Sequence, residues 1–135
     1  MENRIIEVIE SLDDMRFLTP ADENAVSAAE EALGLRFAEE YREYVKKYGV
    51  ISSVEVELTG VTEAKRLDVV AVTERERELT EDFPKDMYVV ENIGIDGILV
   101  LQNSKGEIFY IAPGRRAEKV ANSLAEYIEM VKEER

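Results

Sequence analysis

The chain contains no cysteine, no histidine and no tryptophan, and only three prolines among its 135 residues. Without cysteine no disulfide can form, so nothing in the covalent chemistry points to secretion. Without cysteine or histidine there is no thiol nucleophile, no imidazole acid–base switch and no ordinary zinc site. Any catalysis would fall to carboxylates, Lys, Tyr, Ser or an oxygen-ligated metal. Long hydrophobic runs are missing too. VVAV (69–72), ILVL (98–101) and IFYIA (108–112) are far too short to span a bilayer. The opening MENRIIEVIESLDD carries acids where a signal peptide needs bases. The expectation is a soluble, cytoplasmic protein with no membrane partner.

Positive charge is also scarce. Seventeen Lys and Arg face thirty Asp and Glu, a net charge of −13. Nucleic acid is a poor partner for such a surface, because a phosphate backbone selects a cationic face. A basic protein suits it, since an acidic surface steers a cationic partner and speeds association. The imbalance is concentrated toward the N-terminal side: residues 1–92 hold 23 acids and 11 bases, residues 93–135 hold 7 and 6.

What is present reads as one domain over residues 1–135. A chain of this length buries enough surface for a core, and 45% hydrophobic residues in regular periods argue against disorder. Ile5, Ile6, Val8, Ile9 and Leu12 predict an amphipathic helix over 2–12. Thr19-Pro20 predicts the start of a second, with Val26, Ala29, Ala32 and Leu33 facing inward and Gly34 as its left-handed end. FAEEYREYVKKYG predicts a third, in which Phe37, Tyr41, Tyr44, Val45 and Tyr48 form a buried stripe with wet hydroxyls, closed by Gly49.

After Gly49 the period shortens. Val54, Val56 and Leu58 alternate with Glu55, Glu57 and Thr59, predicting a strand with one wet face. LDVVAV reads as a short buried strand, and TERERELTEDF as a polar helix opened by Thr73-x-x-Glu76. MYVVENI, ILVLQ and EIFYIA predict three strands, EKVA an edge strand. Ser123-x-x-Glu126 opens a final helix with Leu124, Tyr127, Ile128 and Val131 on its apolar stripe. The order gives an α+β fold with a mostly antiparallel sheet.

The glycines of NIGIDGILVLQNSKGEIFYI offer no ligand cradle. Gly94 and Gly97 lie between two strands, so no helix N-terminus is available for a pyrophosphate. NSKGE reverses the order a Walker loop needs, and Asp96-Gly97 supplies a single acid where a calcium loop needs several. Asn103-Ser104-Lys105-Gly106 instead fits a type I turn with a left-handed glycine joining ILVL to IFYI. Both faces of those arms are apolar, which predicts central strands covered on both sides, with one face awaiting a partner as the alternative. No catalytic residue, cofactor or metal site is predicted. Thirty acids bring carboxylates close by chance, so the pairs Glu55/Glu57 and Glu74/Glu78 carry no chemistry by themselves.

Together these pieces resemble the SUKH superfamily, which includes yeast cell-wall-assembly regulators and YobK-type bacterial immunity proteins. Glu30, Leu33, Gly34, Tyr41, Tyr44, Val45, Tyr48 and Gly49 stand at places matching its opening helix pair. The GIDGI hairpin with Gly106 is similar to its sheet core, and VANSLAEYIEMV to its closing element. The likeness spans about residues 23–131. Arg36-Phe37-Ala38 replaces the usual Leu-Pro, and the stretch before VVAV is short. The resemblance implies a non-enzymatic α+β binding protein, in many bacterial members an immunity protein that neutralises a cognate toxin, often a nuclease. A regulatory scaffold for a cellular protein is the alternative, and a carboxylate- or metal-dependent enzyme the third reading.

A basic toxin domain would meet solvent-facing acids on the sheet and its adjoining loops. Glu55 and Glu57 are expected on the wet face of the first strand. Asp68, Glu91 and Asp96 are expected at strand ends, and Glu74 and Glu78, one helical turn apart, extend the patch. The sequence is silent on oligomeric state.

Overall fold

The computed structural model describes residues 4–94 and 96–134; residues 2 and 3 of the predicted first helix lie outside them. Helix α1 (Arg4–Glu10) buries Ile5, Ile6, Val8 and Ile9, and α5 (Leu124–Glu134) buries Leu124, Ala125, Tyr127, Ile128 and Val131. These two helices pack on each other, and α1 also packs on α3 (Glu39–Tyr48). Strands β3 (Met87–Asn92), β4 (Leu99–Asn103), β5 (Ile108–Ile111) and β6 (Glu118–Ala121) form an antiparallel meander in that order. The fold is α+β, as the element order predicts.

The period-2 alternation divides the meander between two apolar clusters. Tyr88, Val90, Val100 and Ile108 join the main core with α1, α3 and α5. Met87, Val89, Leu99, Leu101 and Ile111 face a smaller cluster closed by Phe83. Both faces are covered. The β4–β5 link closes as expected: the Gly106 N–H donates to the Asn103 carbonyl at 3.0 Å, and Gly106 has φ +94°.

Three predicted elements differ. Helix α2 (Glu23–Leu33) starts four residues beyond Thr19, capped by Asp22, whose Oδ1 accepts from the Ala25 N–H at 2.8 Å. The reason is tertiary: the Leu18 N–H donates to the Val50 carbonyl and the Ala21 N–H to the Val45 carbonyl, which holds residues 18–21 outside the helix. Ala32 is exposed rather than inward. Gly34 ends the helix with φ +69°, as predicted.

The predicted strand at 54–59 is instead a tight reversal followed by an irregular segment. The Ser53 hydroxyl accepts from the N–H groups of Glu55 and Val56, the kind of local side-chain bond that competes with a ladder. Strand β2 (Ile51–Ser52) therefore pairs backward with β1 (Arg16–Phe17), and Val54 sits 73% exposed at the tip. Val56 and Leu58 are buried as expected, but so are Glu55 and Thr59.

The predicted strand LDVVAV is the first turn of α4 (Val69–Leu79), with Asp68 as N-cap: its Oδ2 accepts from the Ala71 N–H at 3.2 Å. Thr73 caps nothing. It is buried mid-helix, and its Oγ1 accepts from the Val89 N–H at 3.0 Å, tying α4 to β3. A four-residue apolar run cannot by periodicity alone be told from a buried helical turn.

The tyrosine hydroxyls of α3 are mostly dry. Tyr41 bonds the Thr59 hydroxyl at 2.8 Å; Tyr44 donates to the Thr59 carbonyl at 2.6 Å and accepts from the Ile51 N–H at 3.1 Å. Burial pushes both phenols up, so they remain protonated donors. Beside them, Glu40 leaves the same helix and caps α5, accepting from the Leu124 N–H at 2.5 Å, the Ala125 N–H at 3.3 Å and the Gln102 amide at 2.7 Å.

Three backbone segments meet at Thr19, Gly49 and Gly60. A Cβ at Gly60 would lie 1.8 Å from the Gly49 carbonyl oxygen, and one at Gly49 would lie 2.1 Å from that of Thr19. Gly34 has open space around it. Gly34→Ala should therefore cost only the left-handed backbone term, about 1–2 kcal/mol, whereas Gly60→Ala should cost about 3 kcal/mol or more by overpacking. Urea denaturation of both variants decides; a Gly60→Ala no worse than Gly34→Ala would refute the close approach.

Glu40 supplies a pH test. Burial holds its carboxyl above the ordinary glutamate value, against the opposing pull of the Leu124 and Ala125 N–H groups and the Gln102 amide. The native chain thus keeps a proton that the unfolded chain has already lost. Stability from this group is full below the unfolded pKa and falls as pH rises through the raised native value. Glu40→Gln lacks that slope, so its stability deficit against wild type should be larger near about pH 4 than near about pH 7. A deficit that grows with pH would reverse the assignment.

Candidate protein-binding surface

The seven acids predicted to meet a partner fall into three situations. Glu55 and Glu91 are buried, 9% and 5% exposed, and are not solvent-facing. The Glu55 Oε1 accepts from the Asp13 N–H at 3.2 Å, which pins the loop after α1 to the reversal after β2. The Glu91 carboxylate accepts the Tyr127 hydroxyl at 2.5 Å on one oxygen and the Glu57 N–H at 3.4 Å on the other. It thereby joins β3, α5 and the 56–59 segment. A buried carboxylate persists only when such donors replace its lost water.

Asp68 is bound on both oxygens, to the Ala71 N–H as a helix cap and to the Thr62 N–H at 3.4 Å. Glu57 projects outward as predicted, but Arg66 lies 3.3 Å from it. An exposed pair of this kind contributes little to stability, and the guanidinium offsets the carboxylate charge locally. Glu74, Glu78 and Asp96 are exposed, the first two one turn apart on α4 and the third in the β3–β4 turn with φ +55°.

The structure therefore brings Glu57 and Glu91 together but does not gather all seven into one acidic face. The cleft between α4 and the end of β3 also carries Lys65, Arg66 and Arg75 beside Glu57 and Glu76. Elsewhere, Glu23 draws on Lys46 and Arg42, and its carboxyl is held below the usual range chiefly by the Lys46 hydrogen bond. The Glu107 carboxyl is lowered mainly by the Asn103 amide and by Lys119. Among the described residues no group of three Asp or Glu side chains is placed to hold a metal ion, and no helix is long and apolar enough to cross a membrane.

The SUKH_5 family model, described as SMI1-KNR4 cell-wall, matches residues 2–133. The chain belongs to this family. No curated protein matches it in sequence. SUKH domains are protein-interaction modules and are generally non-catalytic, so the surface of this one is read for partners.

One surface feature escaped the sequence reading. Leu18, Ala25, Ala28, Val61 and Val70 line a groove of about 740 Å³ between the first half of α2 and the segment leading into α4. Its sequence signal is faint: alanines on the outward side of α2, and LTPA held outside the helix. Leu18 is 43% exposed there.

The sorting of the acids predicts opposite outcomes for charge reversal. Glu55→Lys and Glu91→Lys place a cation among donors and should each cost about 3–5 kcal/mol. Glu74→Lys and Glu78→Lys should stay within about 0.5 kcal/mol of wild type. Thermal unfolding followed by circular dichroism separates the two groups, and four equal melting temperatures would overturn the distinction.

Proposed function

We propose that this SUKH domain is a non-enzymatic binding protein, an immunity protein that engages and neutralises a cognate toxin, with a basic nuclease domain as the partner its charge suits best. One observation carries the reading: a net charge of −13 on a domain of a protein-interaction family. A nuclease presents a cationic groove to its substrate, and an acidic inhibitor competes for that groove.

Glu57, Asp68, Glu74, Glu78 and Asp96 are the acids we assign to the rim of the contact, with Glu55 and Glu91 holding the scaffold behind them. Rim acids act mainly on the association rate, while buried anchors set the lifetime of the complex. The protein works in the cytoplasm on this reading, where a toxin made beside it must be held inactive.

The test is to co-express the protein encoded beside this chain and then titrate it with the purified domain. Growth rescue and stoichiometric inhibition are expected. The association rate should fall as salt rises, with a nearly unchanged dissociation rate. If the neighbouring product is harmless and the domain is recovered instead with a housekeeping complex, a regulatory scaffold replaces immunity.

A further inference from the structure

We infer that the groove between α2 and the 61–70 segment is the anchor site, and that it takes a polypeptide segment with an apolar side chain flanked by lysine or arginine. This rests on the protein-binding reading above and assigns it a surface. The floor is apolar: Leu18, Ala25, Ala28, Val61 and Val70. At about 740 Å³ the groove lies within the range that holds a ligand of several side chains.

Its charge selects the occupant. The ionisable residues lining it are Asp22, Glu63 and Asp68, and among the described residues no Lys or Arg lines it. Four other surface clefts mix both signs. Arg115 and Arg116 face Glu81 and Asp82 in one, and Lys65, Arg66 and Arg75 face Glu57 and Glu76 in another. Arg36 and Arg42 accompany Glu30 and Glu31 in a third, and Arg4 and Lys132 accompany Glu7 and Glu129 in the last. Of these five clefts among the described residues, the apolar groove alone presents a single sign. A cationic flank gains there, and an acidic one is repelled. A second copy of this chain, itself at −13, is disfavoured on the same ground.

The walls are preorganised. Asp22 and Asp68 each cap a helix with a side-chain oxygen, and Asp68 also accepts from the Thr62 N–H. The Val61 N–H donates to the Gly49 carbonyl at 3.2 Å, which fixes that wall to the Thr19–Gly49–Gly60 junction. The groove itself therefore needs little ordering when a segment enters.

The test uses the isotopically labelled full chain and three peptides of equal length: leucines flanked by lysines, the same leucines flanked by glutamates, and serines flanked by lysines. Saturable amide shifts confined to residues around Ala25, Ala28, Val61 and Val70 are expected with the first peptide alone. Ala28→Arg, which fills the exposed groove and offsets part of its negative charge, should weaken that binding at least about tenfold, and Glu63→Lys should weaken it and reduce its salt dependence. Equal binding of the glutamate-flanked peptide, shifts centred elsewhere, absence of saturation, or concentration-dependent dimerisation through the groove would each overturn the assignment. With a cognate toxin in hand the two readings separate. A toxin bound equally by wild type and Ala28→Arg removes the groove and leaves immunity standing, whereas a toxin ignored by wild type removes immunity and leaves the peptide result to judge the groove.

Discussion

Thr59 receives two tyrosines from one helix, and that convergence organises the rest of the molecule. Tyr41 meets its hydroxyl and Tyr44 its carbonyl, while the same hydroxyl donates to the Val89 carbonyl on β3 at 2.8 Å. Beside Val89 on β3, Tyr88 donates to Gln102 and accepts from the Ala38 N–H, and Gln102 passes the chain of bonds to Glu40 and so to the start of α5. A single helix thereby sets the position of the irregular 56–59 segment, two strands and the terminal helix. Polar groups this deep are costly unless every one is matched, so the network admits one arrangement of its elements. The aromatic rings add directional packing, with Phe37, Tyr41 and Tyr88 in mutual contacts at 4.8–5.0 Å between centroids.

That constraint also decides which acids are available to a partner. Glu40, Glu55 and Glu91 are turned inward onto backbone, amide and hydroxyl donors, whereas Asp22 and Asp68 cap helices and still line the groove. Removing the three glutamates from the surface account still leaves a strongly negative molecule. Much of what remains is interleaved with bases, as where Glu23 meets Arg42 and Lys46. The field is therefore negative everywhere at long range but concentrated at few places at short range. Long range governs encounter, and short range governs what is held.

The elements legible in the sequence are those whose period and whose tertiary role agree. In β4 and β5 the alternation of Leu99, Val100 and Leu101 matches the two clusters they enter, and the stripe of Tyr41, Tyr44, Val45 and Tyr48 matches the core that α3 lines. Misreadings arise where a distant backbone bond, or a local side-chain bond, overrides the pattern of apolar residues. Val50 and Val45 hold residues 18–21 out of α2, and Ser53 turns the chain before a strand can extend. Asp68 makes a helix of a run that composition alone leaves undecided. The acids divide in the same way. Glu74 and Glu78 lie outward because their helix tells them to, whereas the burial of Glu91 depends on Tyr127, thirty-six residues away in sequence. No window of sequence contains that pair.

The family's general role as a protein-interaction module raises the question of how such a domain distinguishes one partner from others of like charge. Electrostatic steering alone is weakly selective, since any cationic surface responds to it. Discrimination needs a rigid apolar recess, where a wrong side chain fails to fit and a wrong flank is repelled. The close approach of Thr19, Gly49 and Gly60 supplies rigidity beneath a recess of single charge sign, because backbone packed on backbone has no rotamer to give. The glycines that carry the binding consequence are thus Gly49 and Gly60, at the junction under α2. Gly94 and Gly97 shape the entrance to the hairpin and stand apart from that groove.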